Sequence, residues 1–206
     1  MTTLAAGCGK RAAHAEPNSP SSVFEVMDVN EDCDVAAVRT SLPAQLSVRT
    51  ENVDGHQRSY LAFIGAVEQR AQAATWAREY GEKPAGSRWA WGAEPGEEAT
   101  TQRSYCLREP PLVTGADVAT ASVVATEQGG EFFLSVKLNA LGASRFGELT
   151  RARLGHRIAI LVDGAVQMAP RVQSEISGGS LAILLAKNVS RAEADLLAAK
   201  LQAAAR

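Results

Sequence analysis

The chain has 206 residues, of which 46% are hydrophobic, enough for one compact domain or two small ones with a sizeable core. Its net charge of −2 argues against a general nucleic-acid binder, whose electrostatic footprint is basic. No run approaches the roughly 18 apolar residues that a membrane-spanning helix needs.

The chain opens Met1-Thr2-Thr3-Leu4-Ala5-Ala6-Gly7-Cys8. Leu4 to Cys8 has the pattern of a bacterial lipobox, in which small residues precede a cysteine to be acylated. It lacks the basic stretch and the apolar core of about 7–15 residues that a signal peptide places ahead of that site. Two readings stand: the true start lies upstream and Cys8 is the lipidated end, or the match is chance. Gly9 to Ser22 is polar and small, with Pro17 and Pro20, which is the composition of a tether.

From Val23 to Val29 the chain reads as a first strand, and 34–42 as a short helix stopped before Pro43. Leu46 to Val53, the Asp54-Gly55 turn and Ser59 to Ile64 form a hairpin. A helix is expected over 66–80, with Ala66, Ala73, Trp76 and Tyr80 on one face, closed by Gly81 and Pro84. Strands over Arg88 to Trp91 and Arg103 to Leu107 flank the polar loop Glu94 to Thr101, and Pro110-Pro111 breaks the chain. Trp89 and Trp91 share a face, either packed in a core or forming an aromatic platform for a partner.

Beyond Asp117 to Val123, Gly129-Gly130 turns into Glu131 to Leu138, where Phe132, Leu134, Val136 and Leu138 alternate on one face of a strand. Asn139 is an N-cap, Phe146 and Leu149 mark the inner face of the next helix, and Gly155 ends it. Arg157 to Val162 is apolar on both faces, so it reads as a central, doubly covered strand. Asp163-Gly164 is a two-residue hairpin turn, and Pro170 is expected to end the returning strand by withholding a donor. Leu181, Ile183 and Leu185 line one side of a last strand. Ser190 and Glu193 form a capping box for a final helix with the stripe Ala194, Leu197, Leu201 and Ala204. The whole predicts an α+β fold: a mostly antiparallel sheet with about four helices packed on it, built from hairpins and β-α-β-β units. Its portions are a start and tether over 1–22, an N-terminal α+β portion over 23–111 and a second α+β portion over 112–206.

Gly142, Phe146, Leu149-Thr150, Gly155, Ala159-Ile160, Asp163-Gly164, Val166, Ala169-Pro170, Ile176, Gly178-Gly179 and Ile183 stand in a diagnostic order. That ordered set resembles the first periplasmic domain of the SecD/SecDF protein-translocase subunit, over roughly 112–201. The resemblance implies an extracytoplasmic module acting near protein export. Its expected partners are unfolded or exported polypeptide, or the translocase itself, with the membrane reached only through a lipid on Cys8. Two departures accompany it. Ile183-Leu184-Leu185-Ala186-Lys187 stands where the family usually continues "I-x-G-x-F", and 202–206 stands where the translocase runs on into a membrane helix.

If Cys8 is acylated, Cys33 and Cys106 remain as an even pair, either a disulfide or two buried thiols. No CxxC and no Cys/His cluster with zinc spacing occurs, and no metal or cofactor is expected. His14, His56 and His156 are scattered, with His156 set to meet helix-terminal carbonyls. No nucleophile elbow, phosphate loop or dinucleotide fingerprint is present, so no catalytic residue is assigned. Asp163 with Gly164 is read as a hairpin tip and Thr150 as bonding locally. Gly178 and Gly179 are read as supplying positive φ in a turn, or else room for a partner backbone. Three functions result: a non-catalytic polypeptide-binding module, an envelope scaffold reusing the fold, and, weakest, an enzyme with a site assembled from distant residues.

Overall fold

The computed structural model describes residues 23–35, 42, 44–53, 55–65, 75, 83–94, 101–126, 131–185 and 189–205. The tether with Cys8, most of the expected 34–42 helix, and the 66–80 helix apart from Thr75 lie outside them. The strands are β1 (Phe24–Asp28), β2 (Leu46–Val53), β3 (His56–Ile64), β4 (Ser87–Ala93), β5 (Thr101–Arg108), β6 (Val113–Thr114), β7 (Val118–Ala125) and β8 (Phe132–Leu138). Helix α1 (Ala140–Ala152), β9 (Ile158–Val162), β10 (Ala165–Met168), β11 (Ser180–Leu184) and α2 (Arg191–Ala204) complete the order.

Eight strands form one sheet in the order β2-β3-β5-β4-β10-β9-β1-β6, and β11-β8-β7 form a second. Every neighbouring pair is antiparallel except β4 and β10, which meet in parallel through Gly92 and Val166. The fold is α+β and mostly antiparallel, as expected from the sequence. The large sheet draws strands from both portions, because β1 pairs with β9 and β4 with β10.

The strand β9 explains the layering. Its five residues are all buried. Ile158, Ile160 and Val162 face the main core with Phe24, Val26, Leu134, Phe146 and Leu201. Ala159 and Leu161 face the opposite side with Met27, Tyr105 and Leu107. Successive side chains of a strand point to opposite faces, so a strand apolar throughout needs cover on both. Strand β8 shows the contrasting case: Leu134, Val136 and Leu138 enter the core, whereas Ser135 and Lys137 are exposed. Trp91 lies in a third cluster with Leu61 and edge-on to Phe63, and Trp89 packs partly against it, so the core reading of this pair holds.

The turn signals act locally. Asp163 (φ 49) and Gly164 (φ 74) are both left-handed, the requirement of a two-residue hairpin. Asn139 accepts from the Gly142 N–H, and the Ser190–Glu193 box closes on itself. Of the Gly178-Gly179 pair, both expected to take positive φ, only Gly179 (φ +59) does so. A Cβ there would also lie 2.5 Å from Ala143 Cβ.

Three details differ from expectation. The strand β10 ends at Met168, before Pro170, but contact with β9 does not stop there: the Pro170 carbonyl accepts from Ile158 N at 3.2 Å, and Arg171 forms an isolated bridge to Arg157. A proline withholds only a donor, and here its acceptor is the group used. The buried α2 stripe is Ala194, Ala198 and Leu201, with Leu197 and Ala204 only partly covered, since Ala198 rather than Leu197 is the residue turned fully into the main core. Strand β3 begins at His56 rather than Ser59, because the tight turn lets pairing start at Val53–His56.

Thr150 is fully buried and joins α1 to the loop before β11. Its hydroxyl donates to the Phe146 carbonyl (2.9 Å) and accepts from Ile176 N (2.9 Å). Thr150→Val keeps the shape and leaves Ile176 N without its acceptor, an expected loss of about 1–3 kcal/mol. Thr150→Ser, which keeps the hydroxyl, is the control. Equal urea midpoints for the Thr150→Val variant and the parent would refute the role.

Candidate functional site

The link between α1 and β9 carries Arg153, His156 and Arg157, and each meets a carboxylate from the first portion of the chain. Arg153 Nη2 lies 2.6 Å from Asp28 Oδ2, His156 Nδ1 lies 3.0 Å from Glu31 Oε2, and Arg157 forms a two-point bond to Glu51 at 2.8 and 2.9 Å. The His156 ring thus meets a carboxylate, while its backbone N–H donates to the carbonyl of Arg153 at the helix end at 3.0 Å. Arg108 adds a second cation to Asp28 at 3.1 Å. Beside these pairs lies a polar cleft of about 410 Å³ that also receives His56 and Arg58.

Glu51 is the centre of the deeper network. Arg103 chelates the same carboxylate at 2.6 and 3.1 Å, and its guanidinium lies between Tyr60 (3.8 Å) and Tyr105 (4.9 Å). The Tyr60 hydroxyl donates to Glu94, whose other oxygen accepts from Arg49 at 2.8 Å. Such geometry suits a guanidinium, which offers a planar fork to a carboxylate and a flat face to rings. Burial pushes the Glu51 carboxyl upward, but bonds and charge from Arg103 and Arg157 outweigh it and hold it at about 2. Burial and then Glu94 push the Tyr60 hydroxyl up to about 12. Asp28 is raised by burial, against the pull of Arg153 and Arg108.

A depressed carboxyl means that the unfolded chain binds the proton first as pH falls. The Glu51 contribution is therefore complete above the unfolded value of 4.5 and is lost as pH drops toward 2. Asp28 acts with the opposite sign, its raised value favouring the protonated folded form. In urea titrations between pH 5 and pH 2, Glu51→Gln is expected to flatten the decline of stability. A variant curve parallel to the parent's would show that Glu51 does not carry it.

The three-stranded sheet presents the other functional feature. Bonds from Leu138 N to the Gly179 carbonyl and from Leu185 N to the Phe132 carbonyl fix the phase of the ladder between β11 and β8. With the register Leu181–Val136 and Ile183–Leu134, residues 181 and 183 turn their backbone groups toward β8. Ser180, Ala182 and Leu184 turn theirs to the outer edge, where no described strand pairs with them. The opposite edge is guarded, since Gln202 Nε2 on α2 donates to the Ala121 carbonyl at 2.7 Å. Across the open face, Leu184 (53% exposed), Phe133 and Val124 form one apolar row in register. Lys137 Nζ donates to the Gly178 carbonyl and to Ser180 Oγ, fastening the start of β11.

The residues singled out from sequence fall in distinct places. Cys33 and Cys106 are joined, with Cα atoms 6.3 Å apart, so the loop after β1 is tied to β5. Gly142 sits where a Cβ would come 2.7 Å from Asp117 Cβ, and Phe146 is buried in the main core. Asp163 accepts from Lys200 Nζ on α2 at 2.7 Å. Gly178 adjoins β11, with open space at its Cβ position. None of these residues joins the Glu51 network, which sequence reading missed. The available signal was Arg103, a charge inside a strand whose neighbours are all buried. Among the described residues there is no group of three or more His, Cys, Asp or Glu able to hold a metal ion, and no helix long and apolar enough to cross a membrane.

Comparison with known proteins places residues 93–205 in the family described as SecDF, P1 head subdomain. The protein translocase subunit SecDF of Thermus thermophilus is 43% identical over 74 residues, 36% of this chain and 10% of that protein. SecD of Acidaminococcus fermentans is 38% identical over 82 residues, 40% of this chain and 19% of that protein. A solved structure of SecDF, a membrane component that enhances protein export, is similar with a TM-score of 0.48 and 25% identity, covering 89% of this chain and 63% of that one. The chain thus spans a fifth or less of the length of these two translocase subunits.

Proposed function

The chain belongs to the SecDF P1 head subdomain family, and on that premise we propose that it is a non-catalytic, extracytoplasmic module that binds polypeptide during or after export. The observation that carries this reading is the outer edge of β11, with which no described strand pairs, beside an exposed apolar row. An extended segment adds to such an edge through backbone hydrogen bonds, which are indifferent to sequence, while alternate side chains meet the apolar row. A binder of many exported chains needs that combination. The bond between Cys33 and Cys106 supports an oxidising compartment, and the lipobox-like run ending at Cys8 supports a lipid anchor there.

Ala182→Pro tests the edge. It removes an N–H that points outward and leaves the bonds to β8 in place. The variant is expected to keep the parent's stability and to lose at least tenfold in affinity for a fluorescently labelled, unfolded secretory polypeptide. Undiminished binding would move the site elsewhere. A parent protein that ignores such polypeptides would favour an envelope scaffold with its own partner. An intact mass from the native membrane fraction, carrying a diacyl or triacyl group on Cys8, checks the anchor separately.

A further inference from the structure

Arg103 Nε and Glu31 Oε1 are two of the six buried side-chain polar atoms without a hydrogen-bond partner among the described residues. The Arg103 side chain is more than nine-tenths buried, at 8% exposure. Arg103 and Glu31 line the same cavity of about 40 Å³, beside the Cys33–Cys106 bridge. One atom is a donor and the other an acceptor.

We propose that this cavity is a site for internal water, whose molecules bridge Arg103 Nε–H to Glu31 Oε1. Its volume admits about three or four waters, at roughly 10–15 Å³ each. Charge selects the class of ligand. A bare cation entering here meets Arg58, Arg103 and Arg157, and an anion meets Glu31 and Glu51. Water donates to the carboxylate and accepts from the guanidinium, so it answers both atoms without adding charge. Each orphaned group is costly when left unpaired in the interior, which sets the driving force for filling the site. The bridge has a structural consequence. Glu31 holds His156 and Arg103 shares Glu51 with Arg157, so water joins two ion-pair groups that grip adjacent residues of one turn.

The test uses the full chain. A crystal structure at a resolution that orders water is expected to show density within hydrogen-bond distance of both atoms. Oxygen-17 relaxation dispersion in solution is expected to show waters residing longer than the protein's tumbling time. Val53 lines the cavity, and Val53→Ile adds one methylene there. A folded Val53→Ile variant should lose dispersion amplitude by at least one water. Absence of density at either atom overturns the proposal, as does an amplitude unchanged in the folded variant. If Val53→Ile does not fold, density in the parent decides alone.

Discussion

Replacing Cys33 and Cys106 together by Ala is expected to lower the unfolding free energy by about 4 kcal/mol. The bond spans 73 residues of sequence, and in the chain-entropy account a loop of that length removes roughly this much freedom from the unfolded state. The loss falls on an identifiable segment. The loop after β1 retains Asn30, whose N–H donates to the Cys106 carbonyl at 2.8 Å and whose side-chain amide donates to Ser87 Oγ at 3.2 Å. Glu31 and Asp32 in the same loop reach His156, Arg58 and Arg108. These contacts keep the native position attainable without the bond, so the variant should fold with a lower urea midpoint rather than fail. A difference below about 1 kcal/mol would mean that the unfolded chain is already restricted near these two residues. Intact mass gives the companion check: reduction adds two hydrogens to the parent and none to the double variant.

Gly92→Ala is expected to be the most damaging single methyl among the described residues of the large sheet, where Gly92 is buried. A Cβ at this position would collide with the Val166 carbonyl oxygen and lie 2.7 Å from Val166 Cβ. The first of these is a backbone atom, so no rotamer change relieves it. Inserting a methylene into packed protein costs about 1–3 kcal/mol, and a backbone collision belongs at or above the upper end. Position matters as much as magnitude. Gly92 and Val166 form the one register pair between β4 and β10, where strands β2, β3, β5 and β4 join strands β10, β9, β1 and β6. Amide hydrogen exchange should therefore rise first in β4 and β10 and least in β7, β8 and β11. Gly178→Ala is the control: nothing lies within 4 Å of its Cβ position, and its expected effect is within about 0.5 kcal/mol. Similar losses for the two variants would remove the argument from close approach.

The local elements were legible because their signals are local. Alternation in β8, apolar continuity in β9, the Asp163-Gly164 turn and the Ser190–Glu193 box each depend on residues within one element or one turn. The ordered glycine, phenylalanine and threonine positions were legible for a related reason. Gly142, Phe146 and Thr150 share one helix face, and their packing constraints leave a fixed spacing in the chain. Pro170 and His156 show the limit. The first was expected only to withhold a donor and the second to meet helix-terminal carbonyls, whereas the Pro170 carbonyl accepts from the Ile158 amide and the His156 ring meets Glu31, groups set by the tertiary arrangement.

By itself, then, the amino-acid sequence determined the α+β class, the hairpins, the caps and the family resemblance over the second half of the chain. Periodicity and turn chemistry suffice for those, since they are enforced by backbone sterics and by burial of one face. Only the tertiary structure decided that one eight-stranded sheet joins the two portions, that Arg103 and Arg157 share Glu51, and that no described strand pairs with the outer edge of β11. Strand order and long-range ion pairs depend on which surfaces meet, and residues 52 and 106 positions apart leave no periodic trace of meeting in one sequence.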